Sequence, residues 1–368
     1  MKSFLSFIFI LLVCSGIAGA QDLTISPCDQ GGINTALSNV YNSGGGTVYL
    51  EAGVYLVTGQ VKMGSNTRLT GSPDAIIQVS SSSSQWFTDG VGIIGLISQN
   101  FHDIEIDSIQ LDGNLRGFPA SYADSGVGKH NAERAIDFRA SSGAFASNIK
   151  IHNLKIYDCF SDGIHIAFAN NVDVYDNFVS DCQHSGIYFT SVINGLMESN
   201  QVSGITSDCL RFDNCENNIF RYNILYSYTG DSNGAYENGQ NGVQIADQGY
   251  SHNGGSDKPT TTENIEGYGN VFSNDGLRTI WLDSTGKGVK NVYLHDNTGT
   301  TISTNGVSVG NITFANPPTV AMSENIFTSI FDILNLNFTS PIYQRVNSSL
   351  SAHITEVKQG NIPTHLFM

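Results

Sequence analysis

The sequence predicts an all-β fold, a right-handed parallel β-helix with three-strand coils of about 23 residues and an N-terminal capping helix. Three observations predict it. Residues 148–169, 171–192 and 194–215 align as repeats whose starts lie 23 residues apart. Apolar residues alternate inside each repeat, as in Ile149/Ile151, Val172/Val174 and Ile164/Ile166, the period of two expected when one strand face points inward. Asparagine recurs just after the first strand, at Asn153, Asn177, Asn200, Asn223, Asn270 and Asn297, where it can bond along the axis and adopt left-handed turns.

Taken in chain order, residues 1–20 read as a signal peptide: Lys2, the apolar run of residues 4–13, then Ala18-Gly19-Ala20 before Gln21. Residues 21–46 read as the N-terminal cap. Ile33, Leu37 and Val40/Tyr41 recur at helical spacing, and Gly44-Gly45-Gly46 ends the helix. Such a helix is expected because the end coil of a solenoid exposes its interior and an open strand edge. The solenoid runs over residues 47–300. A small residue followed by an apolar one marks one corner at Gly163, Gly186, Cys209, Gly242 and Gly276. Insertions rich in Gly, Asn, Ser and Tyr interrupt the coils near residues 114–131, 227–240 and 248–263, and long loops on a rigid scaffold carry recognition. Residues 301–368 lose the repeat and read as a C-terminal cap or assembly segment.

Composition restricts the partners. The net charge is −16 and only 14% of residues are charged, which argues against nucleic acid and anionic membranes. No stretch after the leader is long and apolar enough for a transmembrane segment. No metal ligand set and no cofactor motif stand out, since no acidic cluster on adjacent coils reads as a calcium site. The expected location is outside the cell, in the envelope or a sheath.

Phasing the coils places Asp137, His165, Tyr188, Arg211, Gln244 and Arg278 in one outward column, a ladder with a rise of ~4.8 Å per coil. Asp162 and Asp208 share a turn position two coils apart, roughly 9–10 Å on that spacing, at the edge of what an inverting glycosidase uses. Arg211 beside Asp213 would instead suit a lyase. The catalytic candidates are therefore Asp162, His165, Tyr188, Asp208, Arg211 and Asp213. The bland alternative is a solvated sheet face.

The front of the chain (GGGTVYLEAGVYLV, then NTRLTGSPDAIIQVSSSSS) resembles the opening coils of pectate-lyase-like β-helix proteins. Residues 161–283 (CFSDGIHI, CQHSGIYF, GITSDCLRFDNC, RTIWLD) are similar to β-helix cell-surface proteins of methanogenic archaea, a group with disaggregatase-type enzymes and cell-sheath subunits. The polygalacturonase motif set is absent as such: His184-Ser185-Gly186 stands in for GHG, and Ser207-Asp208 offers one carboxylate where that family shows two. The resemblance implies either a structural role or cleavage of a wall glycan.

Without the leader the chain keeps Cys28, Cys159, Cys182, Cys209 and Cys215, an odd number. Cys159 with Cys182 and Cys209 with Cys215 are conceivable pairs, which leaves Cys28 for an intersubunit bond; buried reduced thiols are the alternative. Asn311, Asn337 and Asn347 lie in glycosylation motifs. The expected function is a structural subunit of an extracellular sheath or surface layer, whose partner is itself. The alternative is a secreted lyase or glycoside hydrolase acting on cell-wall polysaccharide. A non-catalytic carbohydrate-binding or adhesion protein is the third.

Overall fold

The computed structural model describes residues 19–327, apart from 88–90, 119–133, 141–142, 228–240, 248–260, 275–277, 285–287, 302–306, 313–319 and 324–325. The chain winds as a three-faced solenoid in which every described strand pairing is parallel and joins one coil to the next. Face I is built from Val61–Met63, Gly92–Leu96, Arg134–Arg139, the first half of Ile164–Tyr175 and of Ile187–Glu198, Asp208–Asp213, Asn241–Ala246, Arg278–Ser284 and Val307–Ile312. Face II takes the second half of the two long strands, together with Ala146–His152, Glu216–Arg221, Thr262–Tyr268 and their neighbours. Face III is a separate sheet of short strands running from Gly53–Val57 to Ile326–Phe327. In the 12-residue strands Ile164–Tyr175 and Ile187–Glu198 the bend between faces I and II falls inside one element.

Inward positions carry the alternating apolar residues. On face I they stack as Ile136, Ile164, Ile187, Leu210, Val243 and Ile280, with Phe138, Ile166, Phe189, Phe212, Ile245 and Leu282 two residues on. All are fully buried, so each coil removes its apolar side chains from water only when a coil lies above and below it.

Helix Gln30–Asn42 covers the N-terminal end with Ile33, Ala36, Leu37 and Val40 buried. Asp29 caps it by accepting the Gly32 N–H at 3.0 Å. The strand Leu23–Ile25 precedes the helix and pairs with Gly46–Leu50, so face II begins before the cap. Among the described residues no helix is long and apolar enough to cross a membrane.

The asparagine column is built as expected with one correction. Asn177, Asn200, Asn223, Asn270 and Asn297 form a buried ladder, each Nδ2 donating to the next Oδ1 at 2.9–3.1 Å. Each Nδ2 also donates to a carbonyl of its own or a neighbouring coil, such as Val174 for Asn200. Asn153 lies outside this ladder, because Lys155 pairs with Phe178 and so Leu154 faces Asn177. Asn153 instead belongs to a column of left-handed residues, Ser108, Asn153, Asp176, Ser199 and Tyr222, that turns the chain. A second, exposed ladder runs up face II through Asn148, Asn171, Asn194, Asn217, Asn264 and Asn291, all at positive φ. Asn148, Asn171 and Asn194 head the aligned repeats in the sequence, yet only the register shows that the six touch.

The glycine corner needs a similar correction. Gly163, Gly186, Cys209 and Gly242 stack, but Ile280 follows Val243, so Thr279 takes the next position in place of Gly276. Gly276 itself lies outside the described residues. The pairings of Cys159 with Cys182 and Cys209 with Cys215 are not formed. All four are buried and reduced, because they occupy inward positions where the thiol fills core volume and meets backbone carbonyls: Cys182 donates to Ser180 O at 3.5 Å and Cys215 to Phe189 O at 3.3 Å. Cys28 is partly exposed.

Candidate active site on face I

The outward positions of face I hold most of the buried charge among the described residues. Asp137 pairs in register with His165, His165 with Tyr188, Tyr188 with Arg211 and Arg211 with Gln244, as the coil phasing predicts. The column then continues to Trp281. Arg278 is displaced by three residues to the turn column, opposite Asn241. The insertion between Val243 and Ile280 shifts the register there, which repeat spacing alone does not reveal.

The row is not a solvated face. His165 is 3% exposed and Asp208 fully buried, although these side chains point away from the solenoid interior. Moving charges out of water is costly unless they are paired, and here they are. At the N-terminal end Arg134 donates from Nε to Asp162 Oδ2 at 2.7 Å and lies 3.5 Å from Asp137. Asp162 Oδ1 meets His184 Nδ1 at 2.6 Å and accepts the Ser185 N–H at 3.0 Å. His165 Nδ1 lies 3.1 Å from Asp137 and its ring stacks on Tyr188, centroids 4.6 Å apart.

The middle of the row centres on Arg211. Its guanidinium lies 4.6 Å above the Tyr188 ring and donates from Nε and Nη2 to Asp213 Oδ2 at 3.1 and 2.9 Å. Tyr188 donates its hydroxyl to that same Oδ2 at 2.5 Å. Arg211 Nη1 lies 3.7 Å from Asp208 Oδ2 and 3.5 Å from His184 Nε2. Asp208 Oδ1 accepts from Asn241 Nδ2 at 2.6 Å.

These surroundings divide the carboxyl groups. Burial raises Asp208 to about 6, and Arg211 and Asn241 only partly offset it. Burial pushes Asp162 the same way, but His184, Arg134 and His165 outweigh it and hold it well below the usual carboxylate range. Asp137 is likewise held low, with Arg134, the His165 bond and Arg139 overcoming burial. Burial lowers His165, and its bond to Asp137 does not restore it, so the ring is neutral at pH 7. Neighbouring carboxyl groups with such different acidities make the row a candidate functional site.

Three buried polar atoms along the row have no hydrogen-bond partner among the described residues: Asp213 Oδ1, Gln244 Nε2 and Ser161 Oγ. Unpaired buried polar atoms cost free energy. All six catalytic candidates therefore share one network. Sequence reasoning passed over Arg134 and Asn241 and gave His184 no role, although Arg134 stands three residues before Asp137 on the same strand.

Elsewhere, ligand atoms of Glu105, Asp107 and His152 come within 4.8 Å of one another on face II, the two acids on one strand and the histidine on the next coil. Arg68 Nε lies 2.7 Å from Asp107 and 3.3 Å from Glu105, so a guanidinium already holds the place a cation would take. Asn311 lies in strand Val307–Ile312, while Asn337 and Asn347 lie outside the described residues, as does most of each of the three insertions.

A family model described as the right handed beta helix region matches residues 129–256. The fold is a right-handed parallel β-helix. No curated protein matches the chain in sequence. Among solved structures, the β-helix is similar to the endo-xylogalacturonan hydrolase of Aspergillus tubingensis, with a TM-score of 0.56 at 11% identity over 83% of this chain and 93% of that one. It is also similar to a family 28 exopolygalacturonase of Yersinia enterocolitica, with a TM-score of 0.53 at 15% identity over 86% and 67%. The tailspike protein of E. coli bacteriophage HK620, solved with a pentasaccharide, gives a TM-score of 0.57 at 13% identity over 82% and 53%. At these identities the likeness establishes the fold alone.

Proposed function

We propose that the protein is a glycoside hydrolase acting on an extracellular polysaccharide, with Asp208 as general acid and Asp213 as general base. The observation that carries this reading is the pair itself. Asp208 has a pKa near 6, and Asp213, on the same strand, keeps a buried Oδ1 with no partner. Asp208 would give its proton to the glycosidic oxygen as the bond to the anomeric carbon breaks. A water held by Asp213 Oδ1 would attack that carbon and pass its proton to Asp213. Arg211 and Tyr188 fix Asp213 through Oδ2, leaving Oδ1 to hold the water. A lyase reading is less well supported, because Arg211 is committed to Asp213, Asp208 and His184 rather than to a substrate carboxylate.

The leader expected at residues 1–20 supports a site of action outside the cell, and the resemblance to surface proteins of methanogenic archaea favours a wall glycan as substrate. A sheath subunit is the second reading, favoured by the partly exposed Cys28 beside the N-terminal cap. It gives no reason for a row of buried charges, and helix Gln30–Asn42 covers the edge that end-to-end stacking would use.

The test is release of reducing ends from polygalacturonan, xylogalacturonan and archaeal wall polysaccharide by the wild type, Asp208→Asn and Asp213→Asn. Cleavage of at least one polymer by the wild type, lost in both variants, supports the assignment; cleavage surviving in either removes that residue's role. Native material that forms insoluble sheets, released only when a reductant accompanies the denaturant, would favour the sheath.

A further inference from the structure

The outward column of face I does not begin at Asp137. Ile94 pairs with Ile136, which puts Gly95 opposite Asp137 in the preceding coil, and Gly95 in turn pairs with Lys62. At this one step the ladder has no side chain. The Gln60 carboxamide lies over Gly95, and beside it is a cleft of about 280 Å³ walled by Gln60, Ile97, Gln99, Asp137 and Arg139. A Cβ at Gly95 would run into the Gln60 carboxamide, so the glycine is what lets Gln60 lie along the wall.

We infer that this cleft is a distal sugar subsite, which holds a non-reacting unit of the polysaccharide while the bond beside Asp208 is cut. The inference rests on the hydrolase reading and adds where the rest of the chain lies. The wall chemistry fits a pyranose ring. Ile97, 40% exposed, offers an apolar platform for the C–H face of a sugar. Gln60 and Gln99 supply both donors and acceptors for hydroxyl groups. Arg139 is held in place by Asp137, with Nε 2.9 and 3.2 Å from its two carboxylate oxygens, so the polar wall is preorganised. A few fixed polar groups beside an apolar surface are what a carbohydrate site needs.

Continuity with the catalytic row supports the same occupant. Asp137 forms part of the cleft wall and also lies 3.1 Å from His165 Nδ1, at the start of the row. From Asp137 the register runs through His165 and Tyr188 to Arg211. That is three coils, roughly 14 Å at ~4.8 Å per coil. A linear polymer lying along this face would fill the cleft and the cleavage point together. Binding energy gained at the cleft would then hold the polymer on this face equally in the ground and transition states.

The experiment measures binding and cleavage separately. The wild type, Gly95→Leu and Gln99→Ala are run by affinity electrophoresis in gels containing polygalacturonan, xylogalacturonan or archaeal wall polysaccharide, and assayed for reducing ends on the same polymers. Gly95→Leu drives the Gln60 carboxamide out of its place along the cleft wall. Gln99→Ala removes one exposed amide from the wall and leaves the solenoid core untouched. The expected result is retardation of the wild type by at least one polymer, weakened about tenfold or more in Gly95→Leu and by a smaller factor in Gln99→Ala. In cleavage, KM should rise while kcat changes little. Equal retardation of all three proteins, or no retardation of the wild type by any polymer, overturns the subsite. Retardation weakened in the variants without cleavage by the wild type keeps the subsite and removes the hydrolase reading instead.

Discussion

Asp208 and Asp213 lie on one strand and share one cation: Arg211 reaches Asp213 Oδ2 at 2.9 Å and Asp208 Oδ2 at 3.7 Å. The two carboxyl groups nevertheless have different surroundings. Asp213 also takes the Tyr188 hydroxyl, whereas Asp208 is fully buried beside Asn241 with the longer contact to the guanidinium. Most of what can be tested follows from that asymmetry.

The first prediction concerns pH and rate. Asp208 works as an acid only while protonated, and burial sets its pKa at about 6. Activity should fall as pH rises through about 6, and a rate–pH profile measured between pH 4 and 9 would show it. Removing the group by Asp208→Asn should lower kcat by about 10²–10⁴-fold. A rate that stays flat through pH 8 would rule Asp208 out as the acid.

The second concerns stability. A carboxyl whose folded pKa is raised stabilises the fold below its unfolded value, near 3.8, and that contribution is lost as pH climbs through about 6. The loss is on the order of 3 kcal/mol. Asp208→Asn carries no charge to bury, so it should gain on the wild type between pH 4 and 7. Asp137 and Asp162, held low, behave oppositely: their contribution is present above pH 3.8 and is lost on further acidification. Thermal melts of the wild type and Asp208→Asn at pH 4.5 and 8 would show the variant moving ahead only at the higher pH.

Tyr188 is expected to act by positioning. Tyr188→Phe keeps the ring between His165 and Arg211 and removes the bond to Asp213 Oδ2. The expected cost is about 1–2 kcal/mol of stability, for a lost bond to a charged group. Activity should drop about tenfold, with the pH limb near 6 unmoved because Asp208 is untouched. A shifted limb would place Tyr188 in the proton transfer itself.

The two asparagine ladders should respond differently to the same substitution. Asn200 accepts from both the backbone and the side chain of Asn177 and donates to Asn223 and Val174. Asn200→Ala strands those buried partners and should cost about 2–3 kcal/mol or more. Asn194→Ala breaks exposed bonds of 3.4 and 3.5 Å, and its cost comes mainly from the left-handed φ of 57°, about 1 kcal/mol. Denaturant midpoints of the two variants measure the difference.

The buried thiols give a last check. Cys159, Cys182, Cys209 and Cys215 are buried, and burial raises Cys209 and Cys215 far above the ordinary thiol range. A thiol reagent should modify Cys28 in the native protein and reach the other four only after unfolding. Native reactivity at Cys215 would mean that the core opens far more readily than its packing suggests.

The repeat of 23 residues, the alternation of Ile164/Ile166 and the glycine corner were enough to determine a parallel solenoid, because each coil repeats the same local problem: three inward strands and three sharp turns. The same phasing placed Asp137, His165, Tyr188 and Arg211 in one column. It failed at Arg278, Gly276 and Asn153, since an insertion or a one-residue offset changes which residues face each other, and only interstrand hydrogen bonds fix the register. The sequence also left the column looking like a wet surface. Only the tertiary structure showed that it is buried, with Arg134 and Asn241 brought to Asp162 and Asp208 from neighbouring coils. Acidity depends on that enclosure, and Asp208 shifts to about 6 because residues distant in sequence exclude water around it.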